Sequence, residues 1–352
     1  MRTSFIPGEL WPDDHGVHIN AHGGGILQHN GSYYWYGEHK IEGTAGNSAQ
    51  VGVHVYVSDD LYNWRDGGIA LDIRDNRVPE LPTGCVLERP KVLRSRTTGQ
   101  FVMHFHFESD KRYDDAAIGF AVADHPLGPF VFHHVQRPVP GHWPVNTPPE
   151  LKDSESIKQA KEIYAQGGKA IRAHANDANL LGACIERGQE SRDMGVFVDD
   201  DGTAYQVYSS EMNSTTHIAE LTPDLLGYTG RFSRIFVKRF MEAPCIFKRH
   251  GKYYFIGSGC TGWKPNAARS AVAESLFGPW EELGNPACDE DGDTTYRSQS
   301  TFVLPLANDQ YIFMADRWTP ENAIDGRYLW LPIQFAGDRP LIHAPAEWRL
   351  KL

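Results

Sequence analysis

His22, Glu88, Asp193, Glu242 and Gln299 each stand at the head of an apolar run, and three of the five are carboxylic acids. Singly, an acid at the head of a strand is most often solvated or capping a turn. At matching positions of a repeat the reading changes. Acids gathered in a narrow place raise one another's pKa, because a second negative charge is costly beside the first. A carboxyl that keeps its proton near neutrality is what general acid catalysis requires. These residues therefore point to acid–base chemistry at a polar ring.

Other clusters are weaker. His104, His106 and Glu108 alternate on one face of one run, and neighbours on a single strand rarely converge on one metal ion. A hydrogen-bonded polar face is the better reading. Gly23-Gly24-Gly25 lacks the frame of a phosphate loop and fits close backbone approach instead. Asp199-Asp200-Asp201-Gly202 reads as a hairpin turn, because the spaced ligands and distal Glu of a calcium loop are missing. No cofactor is required, and the run Asp289, Asp291, Asp293 is where a structural cation would sit.

The elements that must position the ring follow from a repeat of an apolar strand, a polar turn and an aromatic strand. Its copies are HGGGILQHNGSYYWYGE from His22, ERPKVLRSRTTGQFVMHFHFE from Glu88, RDMGVFVDDDGTAYQVYSSE from Arg192, EAPCIFKRHGKYYFIGSG from Glu242 and QSTFVLPLANDQYIFMADRW from Gln299. Four copies continue into a third strand and an outer strand, as in VGVHVYVSDDLYNW and ARSAVAESLFGPW. Sheets in such a series bury their faces against one another around an axis, which predicts an all-β, five-bladed β-propeller with the first strand of each blade innermost. One propeller domain then spans residues 1–352. The fifth copy ends differently, so its blade is expected to close with an N-terminal strand near Thr3 to Ile6. Between copies two and three lies an insertion of about residues 133–190. Its LKDSESIKQAKEIYAQGGKAI stretch is expected to form one helix that starts at Asp or Ser and ends at Gly167-Gly168. This insertion is either a packing cover on one rim or a wall of the pocket.

A net charge of -11 argues against nucleic acid or an anionic membrane as partner. No apolar run approaches the roughly 20 residues of a membrane span. The start, Met1-Arg-Thr-Ser-Phe-Ile-Pro, has no apolar signal core. A cytoplasmic protein is expected from the sequence as it stands, with a removed leader left open. Cys85, Cys184, Cys245, Cys260 and Cys288 form no CxxC pair and read as small, mostly buried thiols rather than a disulfide framework. Oligomeric state is not legible.

At the strand starts the sequence resembles glycoside hydrolase family 43, in the branch of the exo-β-1,3-galactanases. The segments AHGGGILQHNGSYYWYGE, LERPKVL, EAPCIFKRHGKYYFIGSGCTGW and SQSTFVLPL carry the resemblance, which spans nearly the whole chain. It implies an inverting hydrolase of oligosaccharides or polysaccharides, with Glu242 of the EAP strand as general acid. It also implies sugar contacts at Glu38, Glu88, Tyr113, Asp193, Asn213, Thr261 and Gln299. Trp263 offers either a flat face for a sugar ring or a core side chain. One departure matters. Where most of the family opens blade one with Asp as general base, this chain reads Asn20-Ala21-His22-Gly23. The base is then Glu88, or Gln299 positioning the water or accepting a proton as its imidic tautomer. His22 reads as a structural hydrogen-bonder in the inner rim. The implied substrate is a terminal β-linked galactose of β-1,3-galactan side chains. Alternatives are arabinofuranosides, galactofuranosides or xylosides on the same fold, and a sugar-binding propeller without turnover.

Overall fold

In a computed structural model that describes residues 1–351, the chain forms five four-stranded antiparallel sheets. Blade one holds β1 (His22–His29), β2 (Ser32–Lys40), β3 (Gln50–Ser58) and β4 (Arg65–Asp72). Blade two holds β5 (Val86–Arg94), β6 (Phe101–Glu108), β7 (Ala117–Ala123) and β8 (Val131–Gln136). Blade three holds β9 (Met194–Val198), β10 (Ala204–Ser210), β11 (Thr215–Leu221) and β12 (Tyr228–Ile235). Blade four holds β13 (Met241–Arg249), β14 (Lys252–Gly259), β15 (Arg269–Ala273) and β16 (Glu281–Gly284). Blade five holds β17 (Gln299–Leu306), β18 (Gln310–Arg317), β19 (Arg327–Ala336) and β20 (Arg339–Ile342).

The strands β1, β5, β9, β13 and β17 touch in a closed ring, so the first strand of each repeat is innermost as expected. Local sequence explains the hairpins. Asn30-Gly31 and His250-Gly251 are two-residue turns with both φ positive, the geometry that matches the right-handed twist of the flanking strands. Apolar side chains from facing blades fill the gaps between sheets. Phe105 and Val53 belong to one cluster between blades one and two, and Phe255 and Ile218 to another between blades three and four.

The ring closes differently from expectation. Blade five is complete with its own β20, and the N-terminal segment adds only an isolated bridge from Phe5 to Trp348. No strand at Thr3 to Ile6 joins a sheet. Closure rests instead on aromatic packing at the seam of blades five and one. There Trp35 meets Trp330 at 4.8 Å between centroids, Trp11 meets Trp330 at 5.0 Å and Phe5 meets Trp348 at 4.6 Å. Such rings bury large apolar areas and gain further from edge contacts.

The insertion also differs. Residues 133–136 belong to β8; the expected helix forms as α1 (Ser154–Tyr164) and ends before Gly167, and α2 (Gly168–Ala173) and α3 (Leu180–Cys184) follow it as further short helices. Asp153 caps α1 by accepting from the Ser156 amide at 2.7 Å, as its residue type favours. Gly167, at φ 92°, breaks the chain between α1 and α2. Both roles weighed for the insertion occur. Leu181 of α3 packs into the core between blades two and three, and Arg172 of α2 lines the central cavity.

Candidate active site

The inner strands are bulged just where the polar residues stand. Register breaks fall between His22 and Gly25, Glu88 and Lys91, and Glu242 and Cys245. Immediately after each opening residue comes one in the left-handed region, at Gly23 (φ 61°), Arg89 (54°) and Ala243 (55°). A bulge removes the following N–H from the ladder and re-aims the side chain before it. Each freed N–H donates to a carboxylate of the preceding blade. Gly23 reaches Asp316 Oδ2 at 2.6 Å, Arg89 reaches Glu38 Oε1 at 2.9 Å, and Ala243 reaches Asp193 Oδ2 at 2.9 Å. Space confirms the close approach read from the glycines, since a Cβ on Gly23 would lie 2.5 Å from Glu38 Oε1. Three of the acids around the funnel are thus bound to backbone. Glu88 and Glu242 are not.

A cavity of about 610 Å³ opens over this ring, lined by Glu38, Glu88, Tyr113, Asp193, Asn213, Glu242, Trp263 and Gln299 among others. Glu242 Oε1 accepts from Asn213 Nδ2 at 2.8 Å. Burial, followed by the negative charge of Asp193, pushes the Glu242 pKa up to about 8, against the opposing pull of Arg89. Glu242 is therefore a neutral acid at pH 7. Asn213 occupies Oε1, so Oε2 is the oxygen left to carry a transferable proton, with the Cys260 thiol as a further hydrogen-bonding neighbour of the carboxyl.

Glu88 has the opposite environment. Burial alone would raise it, but His106 Nδ1 at 2.7 Å and the charges of His106, Lys40 and Arg89 carry it below the usual carboxylate range. Tyr113 also donates to Glu88 Oε1 at 3.0 Å, and Asn47 donates to the Tyr113 hydroxyl at 2.8 Å. His106 lies between Glu88 and Glu108, which raise its pKa to about 9 in spite of burial. An imidazolium thus holds Glu88 ionised. The polar face of β6 is accounted for in this way, with His104 turned to the Leu225 carbonyl at 2.8 Å.

Arg89 joins the two halves of the site. Its Nη2 lies 3.0 Å from Asp193 Oδ2 and donates to Gln299 Oε1 at 2.6 Å. Gln299 Nε2 in turn donates to Ser258 Oγ at 2.9 Å. Because guanidinium can only donate, the amide oxygen of Gln299 faces Arg89 and the amide is fixed in one orientation. Glu38 is buried in an ion pair with Lys40, and burial, with Glu88 adding, raises its pKa against the pull of Lys40.

The remaining expected residues are placed less centrally. His22 is buried beneath Trp318, ring on ring at 5.0 Å, with burial holding its pKa well below 6.5; it does not line the cavity, and its Nδ1 has no hydrogen-bond partner among the described residues, so it packs rather than acting as the expected hydrogen-bonder. Thr261 lies outside the cavity lining, its hydroxyl turned to the Lys264 carbonyl and accepting from Asn266 Nδ2 at 2.7 Å. Trp263 is 47% exposed at the cavity wall, so the core reading of this residue is set aside. The run Asp289, Asp291, Asp293 does not converge among the described residues, and Asp289 is bound by His343 Nδ1 and the Ala344 amide, each at 2.8 Å.

Sequence reading missed Arg89, His106 in its supporting role, Ser258, Asp316 and Trp318. A signal for most of them existed. Hairpin register pairs His22 with Glu38, Glu88 with His106, Glu242 with Ser258 and Gln299 with Asp316. Reading across each hairpin from its opening residue finds the second ring.

The model of the glycosyl hydrolases family 43 matches residues 176–314. A family 43 β-1,3-galactosidase solved with galactodeoxynojirimycin is 44% identical, with a TM-score of 0.89, over 98% of this chain and 100% of the other. An exo-β-1,3-galactanase from Phanerochaete chrysosporium, solved with β-1,3-galactotriose, is 30% identical at a TM-score of 0.79 over 99% of this chain and 69% of the other. A β-D-galactofuranosidase of Aspergillus niger is 27% identical over 143 residues, a match that spans 40% of this chain and about 41% of that curated relative. A bulged inner ring carrying a neutral and an ionised carboxyl, in a chain this similar from end to end to a family 43 enzyme, makes the protein a member of glycoside hydrolase family 43.

Proposed function

We propose that the protein is an inverting, exo-acting glycoside hydrolase that removes terminal β-linked galactose from β-1,3-galactan chains. The observation that carries this reading is the division of labour among the acids. Glu38, Asp193 and Asp316 each hold a bulge N–H, leaving Glu242 neutral and Glu88 ionised on non-adjacent blades of one cavity. Two carboxyls pushed apart in pKa are what a single displacement at an anomeric carbon requires.

Glu242 Oε2 gives its proton to the glycosidic oxygen as the bond to C1 breaks. Glu88 takes a proton from a water that attacks C1 from the opposite face, and Gln299 steers that water. The positive charge of Arg89 against Gln299 Oε1 opposes protonation of that oxygen, which favours Glu88 over an imidic Gln299 as base. Asn213 Oδ1, buried with no partner among the described residues, is left for a sugar hydroxyl. Trp263 offers a ring face to the sugar.

Glu242→Gln tests the reading. Turnover on β-1,3-galactobiose should fall by about 10²- to 10⁴-fold, with a much smaller loss on aryl galactosides whose leaving groups need no proton. Equal losses on both would remove Glu242 as acid. The Aspergillus niger relative makes galactofuranosides the second substrate to try. Faster cleavage of an aryl galactofuranoside than of the galactopyranoside would replace the galactan reading.

A further inference from the structure

We propose that the mouth of the funnel is a subsite for an anionic substituent, a carboxylate or a sulfate ester, on the sugar from which the terminal galactose is cleaved. The proposal rests on the galactose-releasing reading above. The acids of the cavity wall are confined to its depth, where Arg89, Arg192 and His106 accompany them, and no acid reaches the mouth. These acids, Glu38, Glu88, Asp193 and Glu242, all lie on the buried or half-buried floor, and the wall's exposed charged residues are Lys111, Arg172, Lys264 and Arg297. In a chain with 45 acidic and 34 basic residues, an unselected mouth would be mixed.

The four cations come from separate segments. Lys111 follows β6, Arg172 lies on α2 of the insertion, Lys264 follows Trp263, and Arg297 precedes β17. Arg297 has Asp291 at 4.0 Å, whereas Lys111, Arg172 and Lys264 have no carboxylate within ion-pair distance among the described residues. Solvated surface cations are common, and taken singly these would mean little. Their position decides. In an exo site the terminal sugar sits on the floor beside Glu242, so the leaving sugar must occupy the mouth beside Trp263 and Lys264. A neutral galactan gives three unpartnered cations nothing to pair with, whereas an acidic or sulfated one does.

The experiment compares kcat/KM for β-1,3-galactobiose with that for the same disaccharide carrying a uronic acid or a sulfate ester on its reducing residue. Assays run at about 20 mM and about 500 mM NaCl, since exposed charge pairs are screened by salt. At low salt the wild-type protein should favour one or both anionic substrates by about tenfold, from a few tenths to 1 kcal/mol per pair. The preferred arm identifies the anion. High salt should abolish the preference, and Lys111→Ala/Arg172→Ala/Lys264→Ala should bring the ratio close to one. Should the triple variant not fold, Lys264→Gln alone should lower the ratio about two- to threefold. A wild-type ratio of one or less at low salt, or a ratio unchanged in the variants, overturns the proposal. Failure to release galactose from any of the three substrates would instead overturn the activity on which it rests.

Discussion

Asn213 meets Glu242 over 2.8 Å from a segment in which Glu211, Met212 and Asn213 are all left-handed, at φ 50°, 59° and 63°. Such a backbone is costly for residues with a Cβ and persists only when its surroundings hold it. They do so here from both sides. Glu211 accepts twice from Arg234, at 2.7 Å each, and Glu190 accepts from the Met212 amide at 2.7 Å. The proton donor is thus oriented by an amide whose own position is set by a buried ion pair.

The pH dependence of kcat/KM should report both carboxyls. Activity requires Glu242 protonated and Glu88 ionised, so the profile should fall on the alkaline side near pH 8 and on the acid side below the usual carboxylate range. Asp193→Asn removes the negative charge that helps hold Glu242 neutral. The alkaline limb should then move to lower pH by about one unit. A limb that stays in place, or moves up, would mean that Asp193 does not set the Glu242 proton.

Stability should depend on pH through Glu211. Burial opposes its charge, but His217 and Arg234 depress its pKa to about 2, from an ordinary value of 4.5. A depressed carboxyl contributes stability above its unfolded pKa and loses it as pH falls through the folded value, so the loss runs from about pH 5 to pH 2. His217, its pKa lowered chiefly by burial, adds a loss of the same sign beginning below pH 6.5. At pH 7, Glu211→Gln should cost about 3 kcal/mol in urea unfolding. That gap should narrow as pH drops toward 2, and a gap constant with pH would contradict the assignment.

Much of the architecture was legible because hairpin chemistry is local. Asn30-Gly31 and the apolar alternation around it specify a hairpin wherever they occur. The opening residues could be aligned because each copy repeats the same strand and turn. What was hidden depends on contacts between blades. Nothing near Arg89 in sequence announces that its amide will meet Glu38 or that its guanidinium will bridge Asp193 and Gln299. The same limit explains the misplaced closing strand, because Phe5 reads as an edge strand locally and serves as one ring in an aromatic seam. In the insertion, α1 ends before Gly167 as its sequence marks, whereas the short α2 that begins just after Gly167 has no sequence signal of its own.

The base can be identified by rescue. If Glu88 removes the proton from water, Glu88→Ala should lose about 10²- to 10⁴-fold in turnover and recover part of it with azide on an activated aryl galactoside. Azide then attacks C1 while the aryl group leaves, giving an α-galactosyl azide. Gln299→Ala should be less damaged and should gain nothing from azide. A more damaged Gln299→Ala, with Glu88→Ala chiefly raising KM, would transfer the role to Gln299.

The most direct test is a proton NMR time course of wild-type protein with β-1,3-galactotriose. The account predicts galactose and β-1,3-galactobiose as first products, with the galactose appearing first as its α-anomer and only later reaching mutarotational equilibrium. Galactose appearing first as the β-anomer, or a trisaccharide left uncut, would contradict it.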